Sequence, residues 1–161
     1  MLVNFLKLVE NPNQVGKKEG KWFPHVSPEG GLPTLGYGHK LVQDEVDAQK
    51  VYNINIKYGC TDKEIDFILN IDIEKARTVA TNCVKEFRSL SEKKQDIFTE
   101  FAFNLGYRLQ VFKKFTKAVI SDDWDTAKKE YKRYYYDSSG HPHEVKDRNI
   151  KFYEYFLNSY P

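Results

Sequence analysis

KWFPHVSPEGGLPTLGYGHKL, residues 21–41, is the stretch that decides the fold. Glycines at 30, 31, 36 and 38 and prolines at 28 and 33 separate short apolar and aromatic segments. This composition is typical of a tight β-hairpin or a three-stranded ribbon. Because Gly36 and Gly38 lack side chains, the backbone around Thr34 stays open to the close approach of a ligand. The stretch therefore predicts a small β-lobe built around a glycine-rich ribbon.

A short amphipathic helix is predicted upstream of this ribbon. Apolar residues recur at helical spacing between positions 2 and 9, and Pro12 ends the helix because its ring clashes with a continuing turn. Glu10 stands at the C-terminal end, where the negative end of the helix dipole favours a protonated carboxyl. A carboxyl that faces a threonine on a glycine-rich ribbon is the arrangement expected of a cleft that cleaves sugars.

The rest of the chain is predicted to be mostly helical. Capping signals and apolar periodicity give five helices with expected bounds of 61–82, 89–106, 112–120, 122–135 and 143 to near the C-terminus. The first begins at a T-x-x-E capping box, Thr61 with Glu64, and the second at Ser89 with Glu92. His143 marks the expected start of the last helix.

Bulk properties narrow the class of protein. A length of 161 residues suits one domain or two small lobes, and the net charge of +2 is too small to indicate nucleic-acid binding. Cys60 and Cys83 are expected to be free thiols, since two cysteines make no disulfide framework and no metal motif surrounds them.

The polar residues within the first ten positions indicate neither a signal peptide nor a membrane span, so we expect cytoplasmic synthesis and no stable membrane insertion.

The sequence resembles the phage-type lysozymes, the muramidase endolysins related to the T-even phage enzyme. Residues 34–39, TLGYGH, match the family segment T-[IL]-G-[YI]-G-H position by position. The similarity continues through AFNLG (102–106), VFKKFTKAV (111–119), DDWDTAKKEY (122–131) and DRNIKFYEYF (147–156), and so covers nearly the whole chain.

This resemblance implies an α+β, lysozyme-like fold in a single catalytic domain, residues 1–161. A small N-terminal ribbon lobe (about 12–60) would be joined by the long helix to a larger helical lobe (about 61–161, with the first helix). The implied activity is hydrolysis of the β-1,4 bond between N-acetylmuramic acid and N-acetylglucosamine in peptidoglycan, without cofactor or metal. The implied protein is a monomer that a phage holin releases from the host cytoplasm to the wall in the periplasm.

Two glutamates compete for the role of catalytic acid that the resemblance implies. In the family this Glu ends the N-terminal helix, which favours Glu10. The family Glu is also followed by Gly, as Glu19 is here, and an ungapped alignment from Thr34 preserves the family separation for Glu19. Residues 12–18 form a poor helix, however, because they contain Pro12 and Gly16. We therefore predict Glu10, at the cost of a longer insertion before the ribbon.

The family's catalytic Asp is missing from this chain. Its place in the turn before the ribbon holds Ser27-Pro28-Glu29, with His25 just upstream. His25 could act as a base near neutral pH, and Ser27 could hold a water with Thr34, which positions the attacking water in the family. Glu29 would restore a carboxylate one position along. We favour His25 and Ser27.

Further residues are candidates for binding the substrate. Tyr37 lies within TLGYGH, and Tyr135 is the centre of a three-tyrosine patch whose aromatic faces suit the apolar faces of pyranose rings. Arg148 aligns with a basic position of the family's helical lobe and could bind a carboxylate. His39 is expected to be structural, bonding across the ribbon, and the His141-Pro142-His143 segment with Asp147 is not assigned to a metal.

Two other functions stay open. A lytic transglycosylase acts on the same bond with a single Glu, because the muramyl hydroxyl replaces water as the nucleophile. A wall-binding phage component could keep the cleft without the chemistry.

Overall fold

The computed structural model describes residues 1–27 and 30–160. The chain divides into two compact units, Met1–Glu74 and Lys75–Pro161. The boundary falls inside the longest helix, and the first helix belongs to the first unit, whereas the sequence analysis grouped that helix with the helical lobe. No helix among the described residues is both long and apolar enough to cross a membrane.

Seven α-helices are found in the described residues. Their bounds are α1 Leu2–Glu10, α2 Gln43–Ala48, α3 Asp62–Cys83, α4 Glu92–Leu105, α5 Lys113–Ile120, α6 Trp124–Glu130 and α7 Lys146–Phe152. Short 3-10 turns, Phe87–Ser89 and Gly106–Val111, flank α4, and a π-helical turn, Tyr153–Leu157, follows α7.

The strands pair two by two into antiparallel hairpins. They are β1 Lys17–Lys18 with β2 Lys21–Trp22, β3 Thr34–Leu35 with β4 His39–Lys40, β5 Lys50–Val51 with β6 Ile54–Asn55, and β7 Tyr134–Tyr136 with β8 Pro142–Glu144. The first three hairpins lie in the first unit. The α+β class and the predicted ribbon are confirmed.

The first unit packs its ribbon and loops on the start of α3. Its buried cluster consists of Trp22, Leu35, Leu41, Val51, Ile56, Cys60, Ile65 and Ile68. Gly36 allows the close approach of α3, because a Cβ at this position would lie 2.7 Å from Cγ2 of Ile65. The predicted capping box is confirmed: Thr61 Oγ1 accepts from the backbone N–H of Glu64, whose carboxylate accepts from the backbone N–H of Thr61.

A buried polar network fixes the second strand of the ribbon. His39 Nδ1 lies 2.8 Å from Asp72 Oδ2 and its Nε2 lies 3.3 Å from Glu45 Oε2, while Tyr52 donates to Asp72 at 2.7 Å. Burial alone would lower the pKa of His39, but the two acidic partners raise it above its usual value. The structural role predicted for His39 is confirmed, although its partners lie on α2 and α3 rather than across the ribbon.

The second unit packs around a cluster of phenylalanine rings and contains a buried ionic cluster. Glu100 is fully buried and accepts from Arg133 Nη1 at 2.8 and 3.0 Å and from Arg148 Nε at 2.7 Å. The guanidinium of Arg133 also lies 4.5 Å from the ring centre of Phe101. These contacts join α4 to the segment around β7 and to α7 within this unit.

Three predictions for the helical region are wrong in detail. The N-cap of α4 is Ser91, whose side chain accepts from the backbone N–H of Lys94, whereas the predicted cap, Ser89, ends the preceding 3-10 turn. The helix predicted over 122–135 ends at Glu130, and the last begins at Lys146 instead of His143. The intervening residues form the β7–β8 hairpin, because Asp137 accepts from two turn N–H groups and Gly140 takes a positive φ.

Both cysteines are free thiols, as predicted. Cys60 is fully buried, and burial, with a smaller effect from the Glu64 carboxylate, raises its pKa to about 11. Cys83 is partly exposed near the end of α3.

Candidate active site

Glu10 is the last residue of α1, and its carboxylate lies over a glycine of the ribbon. A Cβ built on Gly38 would stand 2.8 Å from Oε2 and 3.2 Å from Cδ of Glu10, so this approach requires a residue without a side chain. The φ of Gly38 is +88°, a conformation that only glycine adopts without strain. The side chains that approach Gly38 and Gly36 closely are those of Glu10 and Ile65, whereas the sequence analysis expected these glycines to leave room for a ligand.

Asn11 connects the end of α1 to the ribbon through side-chain hydrogen bonds. Its side-chain amide donates to the carbonyl oxygen of Gly36 at 3.0 Å and to that of Val15 at 2.9 Å, and its Oδ1 accepts from the Val15 N–H at 2.8 Å. Asn11 is only 5% exposed. Because both the ribbon and the loop after α1 are held by this one side chain, the neighbouring Glu10 has a defined position.

The segment before the ribbon pairs with the strand that carries Thr34. His25 and Thr34 form an antiparallel bridge with two backbone hydrogen bonds of 2.9 Å, so His25 extends the ribbon by one further strand position. Ser27 follows two residues later and is 5% exposed, and Thr34 is 8% exposed. Both residues are therefore largely buried.

These side chains line one pocket with a volume of about 380 Å³. Its lining includes Glu10, His25, Ser27 and Thr34, the four residues predicted to be catalytic. The full set of described lining residues is Glu10, Asn11, Pro12, Asn13, Val15, His25, Val26, Ser27, Thr34, Gly36, Gly38 and Lys40. All of them belong to the first unit, and Glu10 is the one carboxylate among them.

The surroundings of His25 favour its neutral imidazole form. Partial burial lowers the pKa of His25 below its ordinary value, and the nearby carbonyl oxygen of Phe23 opposes this shift without reversing it. The imidazole is therefore mainly neutral near pH 7, the form that can act as a base.

Glu19, the alternative candidate for the catalytic acid, lies outside the pocket that contains Glu10. Glu19 and Gly20 are the two central residues of the β1–β2 hairpin, with φ values of 48° and 77°, and Glu19 is exposed. This two-residue turn requires positive φ at both positions, which accounts for the Glu-Gly pair in structural terms. Glu19 does not line the pocket. Glu29 and Pro28 lie outside the described residues.

The residues predicted to bind substrate do not line this pocket. Tyr37 is half-buried against Trp22, with ring centres 5.1 Å apart, and packs on the core of the first unit. Tyr135 lies in the second unit on the β7–β8 hairpin, 55% exposed and stacked on His143. Arg148, predicted to bind a carboxylate of the substrate, is 9% exposed and donates through Nε to the carboxylate of Glu100 at 2.7 Å.

No group of three or more His, Cys, Asp or Glu side chains within residues 1–27 and 30–160 is arranged to hold a metal ion. His143 Nε2 instead lies 2.9 Å from Asp137 Oδ2, across the turn of the β7–β8 hairpin.

Asn11 and Lys40 are among the pocket residues that the sequence analysis missed. Asn11 could have been suspected, since a buried amide directly after a helix is suited to bind loop carbonyls. Lys40 could have been found by strand alternation, because it lies opposite Thr34 once Gly36–Gly38 are recognised as the turn of the ribbon.

The fold is that of lysozyme-like proteins. The chain is similar to a solved structure, the active form of the P1 phage endolysin Lyz, with 13% sequence identity and a TM-score of 0.50, over 94% of this chain and 88% of that one. The family model described as phage lysozyme matches residues 17–148, so the chain belongs to the phage lysozyme family. A comparison with curated proteins gave no match. The family match includes His25, Ser27 and Thr34 and begins downstream of Glu10, whose assignment therefore rests on geometry.

Proposed function

We propose that this protein is a phage endolysin that hydrolyses the β-1,4 bond between N-acetylmuramic acid and N-acetylglucosamine in peptidoglycan. Membership of the phage lysozyme family supports the substrate class. The observation that carries the proposal is the carboxylate of Glu10 over the bare backbone of Gly38, in one pocket with Thr34.

Glu10 is proposed as the general acid. Cleavage of a glycosidic bond needs a carboxyl that donates its proton to the leaving oxygen as positive charge develops on the sugar ring. The attachment of Asn11 to Gly36 supports this role, since it fixes the end of α1 beside the ribbon. A fixed position is what a proton donor requires.

The water is proposed to bind on the side formed by Thr34, Ser27 and His25. Two hydroxyls could orient a water molecule, but they are far too weakly basic to deprotonate it. His25 is the group with a suitable basicity, because its lowered pKa keeps the imidazole neutral. An inverting hydrolase needs roughly 6.5–9.5 Å between its acid and its base to accommodate this water.

Lytic transglycosylation is the second candidate, because the sequence lacks the Asp that the phage-type lysozymes carry in the turn before the ribbon. Glu10 is the one carboxylate among the described lining residues of the pocket. In this reaction Glu10 protonates the leaving oxygen, the C6 hydroxyl of the muramyl ring attacks its own C1, and the hydroxyl proton passes to the Glu10 carboxylate. The product is a 1,6-anhydro sugar, and no water is consumed.

The decisive experiment compares Glu10→Gln with Glu19→Gln. Lysis of permeabilised Gram-negative cells should fall by about 10²- to 10⁴-fold for the first variant, because an amide cannot donate the proton, and stay unchanged for the second. Unfolding curves serve as the folding control. The reverse pattern would transfer the role to Glu19, and a wild-type protein that binds walls without cleaving them would indicate a non-catalytic component.

Mass spectrometry of the products separates the two chemistries. Hydrolysis leaves a reducing muramyl end, whereas transglycosylation leaves an anhydro end that is lighter by one water.

If water is activated, His25→Ala should lower turnover more than Ser27→Ala, and Ser27→Asp should be tolerated. Full activity of His25→Ala would remove the proposed base.

The cellular part of the proposal is that the monomeric enzyme is made in the host cytoplasm and reaches the periplasmic wall through a holin. Expression without a holin should then leave cells intact until the membrane is permeabilised. Lysis of such cells without permeabilisation would contradict this route.

A further inference from the structure

We propose that a second pocket, in the second unit, binds carboxylates of the peptide stems of the cell wall and so holds the enzyme on its polymeric substrate. This pocket has a volume of about 720 Å³ and shares no described lining residue with the pocket of Glu10. The inference rests on the proposed function for the identity of the substrate, and its own evidence lies in Lys113 and Lys117.

Three segments form this pocket. They are the C-terminal end of α3 with the residues just after it, the 3-10 turn Gly106–Val111, and α5. The described lining residues are Asn82, Cys83, Glu86, Leu109, Gln110, Lys113, Thr116, Lys117, Ile120 and Ser121. All of them belong to Lys75–Pro161, so these lining residues lie within one unit.

The packing of α5 determines which of its side chains line the pocket. Phe115 is fully buried in the core of the unit, where its ring stacks on that of Phe101. Lys113 and Lys117 are four residues apart and therefore share a different face of the helix. Both are exposed, and both line the pocket. The burial of Phe115 thus fixes the face of α5 that presents the two ammonium groups to the pocket.

The two lysines are placed unfavourably in the absence of an anion. Like charges four residues apart on a helix repel each other. Lys113 also begins α5, where the positive end of the helix dipole disfavours a cation, and the first turn contains no acidic residue. Neither ammonium group forms an ion pair within residues 1–27 and 30–160, whereas that of the neighbouring Lys114 lies 3.7 Å from Glu130. An anion bound in the pocket would offset this repulsion.

The chemistry of the substrate identifies the anion. The glycan backbone of peptidoglycan presents hydroxyls and N-acetyl groups, and the lactyl carboxyl of the muramyl residue is consumed in the amide bond to the stem. The remaining carboxylates belong to the amino acids of the stem, and a carboxylate accepts charge-assisted hydrogen bonds from lysine. Two ammonium groups in one pocket suit a stem that carries more than one carboxylate.

A second site on a polymer raises the overall affinity without any new contact at the first site. The wall carries many stems, so those near a bound enzyme are present at the roughly millimolar effective concentration that short flexible linkages give. A pocket with only millimolar affinity for a single stem would therefore retain the enzyme on the wall.

Cys83 provides a reporter of occupancy that does not depend on cleavage. It lines the pocket and is partly exposed, whereas Cys60 is fully buried, so a neutral pyridyl disulfide should label Cys83 in the folded protein. The dipeptide N-acetyl-L-alanyl-D-glutamate, which mimics the start of the stem, should slow this labelling at millimolar concentration. Its diamide, which has no charge, should not slow it.

Changes of charge in the lining should alter this protection in opposite directions. Lys113→Gln combined with Lys117→Gln should weaken the affinity for the dipeptide at least about tenfold, the loss expected for charge-assisted hydrogen bonds. Glu86→Gln should instead strengthen it, because Glu86 is the one acidic residue among the described lining residues. Each variant is compared with its own labelling rate without dipeptide.

Lys114→Gln is the matched control, because Lys114 lies on the same helix, carries the same charge and is not among the described lining residues. Protection by the dipeptide should be unchanged in this variant. A similar loss for Lys114→Gln would point to the general charge of the surface, and equal protection by inorganic phosphate would indicate an unspecific anion site. Either result, or a wild-type protein without protection, would overturn the inference.

Kinetics on intact walls link the pocket to retention. KM of the double lysine variant on cell walls should rise about tenfold, with a smaller change in kcat, because the second attachment is lost. Its urea unfolding should show no loss of stability, since two like charges are removed. A wild-type protein that cleaves no wall contradicts the proposed function, whereas the labelling of Cys83 still decides what the pocket binds. An unchanged KM on walls would refute retention by this pocket.

Discussion

Replacement of Gly38 by Ala should lower the turnover of the enzyme, because the added methyl group displaces the Glu10 carboxylate. The added Cβ would lie 2.8 Å from Glu10 Oε2, and ordinary contact begins at 3.4 Å, so the carboxylate must retreat by about 0.6 Å. Misplacement of a catalytic group by 1 Å can cost about 10²-fold in rate. We therefore expect turnover to fall by roughly ten- to a hundredfold.

Gly20→Ala is the control for the backbone effect of this change. The φ of Gly20 is +77°, close to the +88° of Gly38, but no atom lies within 4 Å of a Cβ at Gly20. Both variants should lose about 1–2 kcal/mol of unfolding free energy from the strained left-handed conformation. Only Gly38→Ala should lose activity, so the comparison separates backbone strain from displacement of Glu10.

The assay is initial lysis rate of permeabilised cells, with urea unfolding of the same samples. A double variant, Gly38→Ala with Glu10→Gln, should be no slower than Glu10→Gln alone, because the methyl group acts only by moving that carboxylate. Wild-type activity of Gly38→Ala, or losses that multiply in the double variant, would refute the reasoning.

Three further predictions concern stability and the thiols. Glu100→Gln should lower the free energy of unfolding by about 3–5 kcal/mol in urea, because two buried arginines lose their anion; a loss near zero would contradict this. The pKa of His39 is raised, so its charged pair with Asp72 stabilises fully below about pH 6.5 and fades as pH rises through the folded pKa. Asp72→Asn should therefore cost roughly 1.5–3 kcal/mol in acid and less in alkali, and a pH-independent cost would contradict the charged pair. Thiol titration should find two free groups after denaturation but only Cys83 in the folded protein, since Cys60 is buried; a fast second thiol would contradict that burial.

Local chemistry explains which parts of the fold could be predicted. The capping box at Thr61 and the turn glycines of the ribbon act over a few residues, so their consequences are readable in sequence. The pairing of His25 with Thr34 was also within reach, because only eight residues separate them along the chain. Their presence in a pocket with Glu10 follows from the register of the ribbon and the end of α1.

Long-range charge pairing explains why the surroundings of Arg148 could not be predicted from the sequence. Arg148 has the appearance of a surface cation in sequence, but its partner Glu100 lies on another helix, and burial of both is compensated only in the folded state. The hairpin at 134–144 was missed for a related reason. The helix predicted over 122–135 includes Tyr134 and Tyr135, while the turn chemistry of Asp137 and Gly140 favours two paired strands.

Separation along the chain and position in space point to different glutamates for the proposed acid. An ungapped count back from Thr34 selects Glu19, but lengthening a surface loop costs little free energy, about 0.6 kcal/mol for each doubling. The side chain of Asn11 bonds both Val15 and Gly36, so the loop after α1 can be long while Glu10 stays beside the ribbon. Glu19 meanwhile occupies a turn that demands positive φ. Position in space, fixed by one buried amide, therefore favours Glu10 where sequence spacing favoured its competitor.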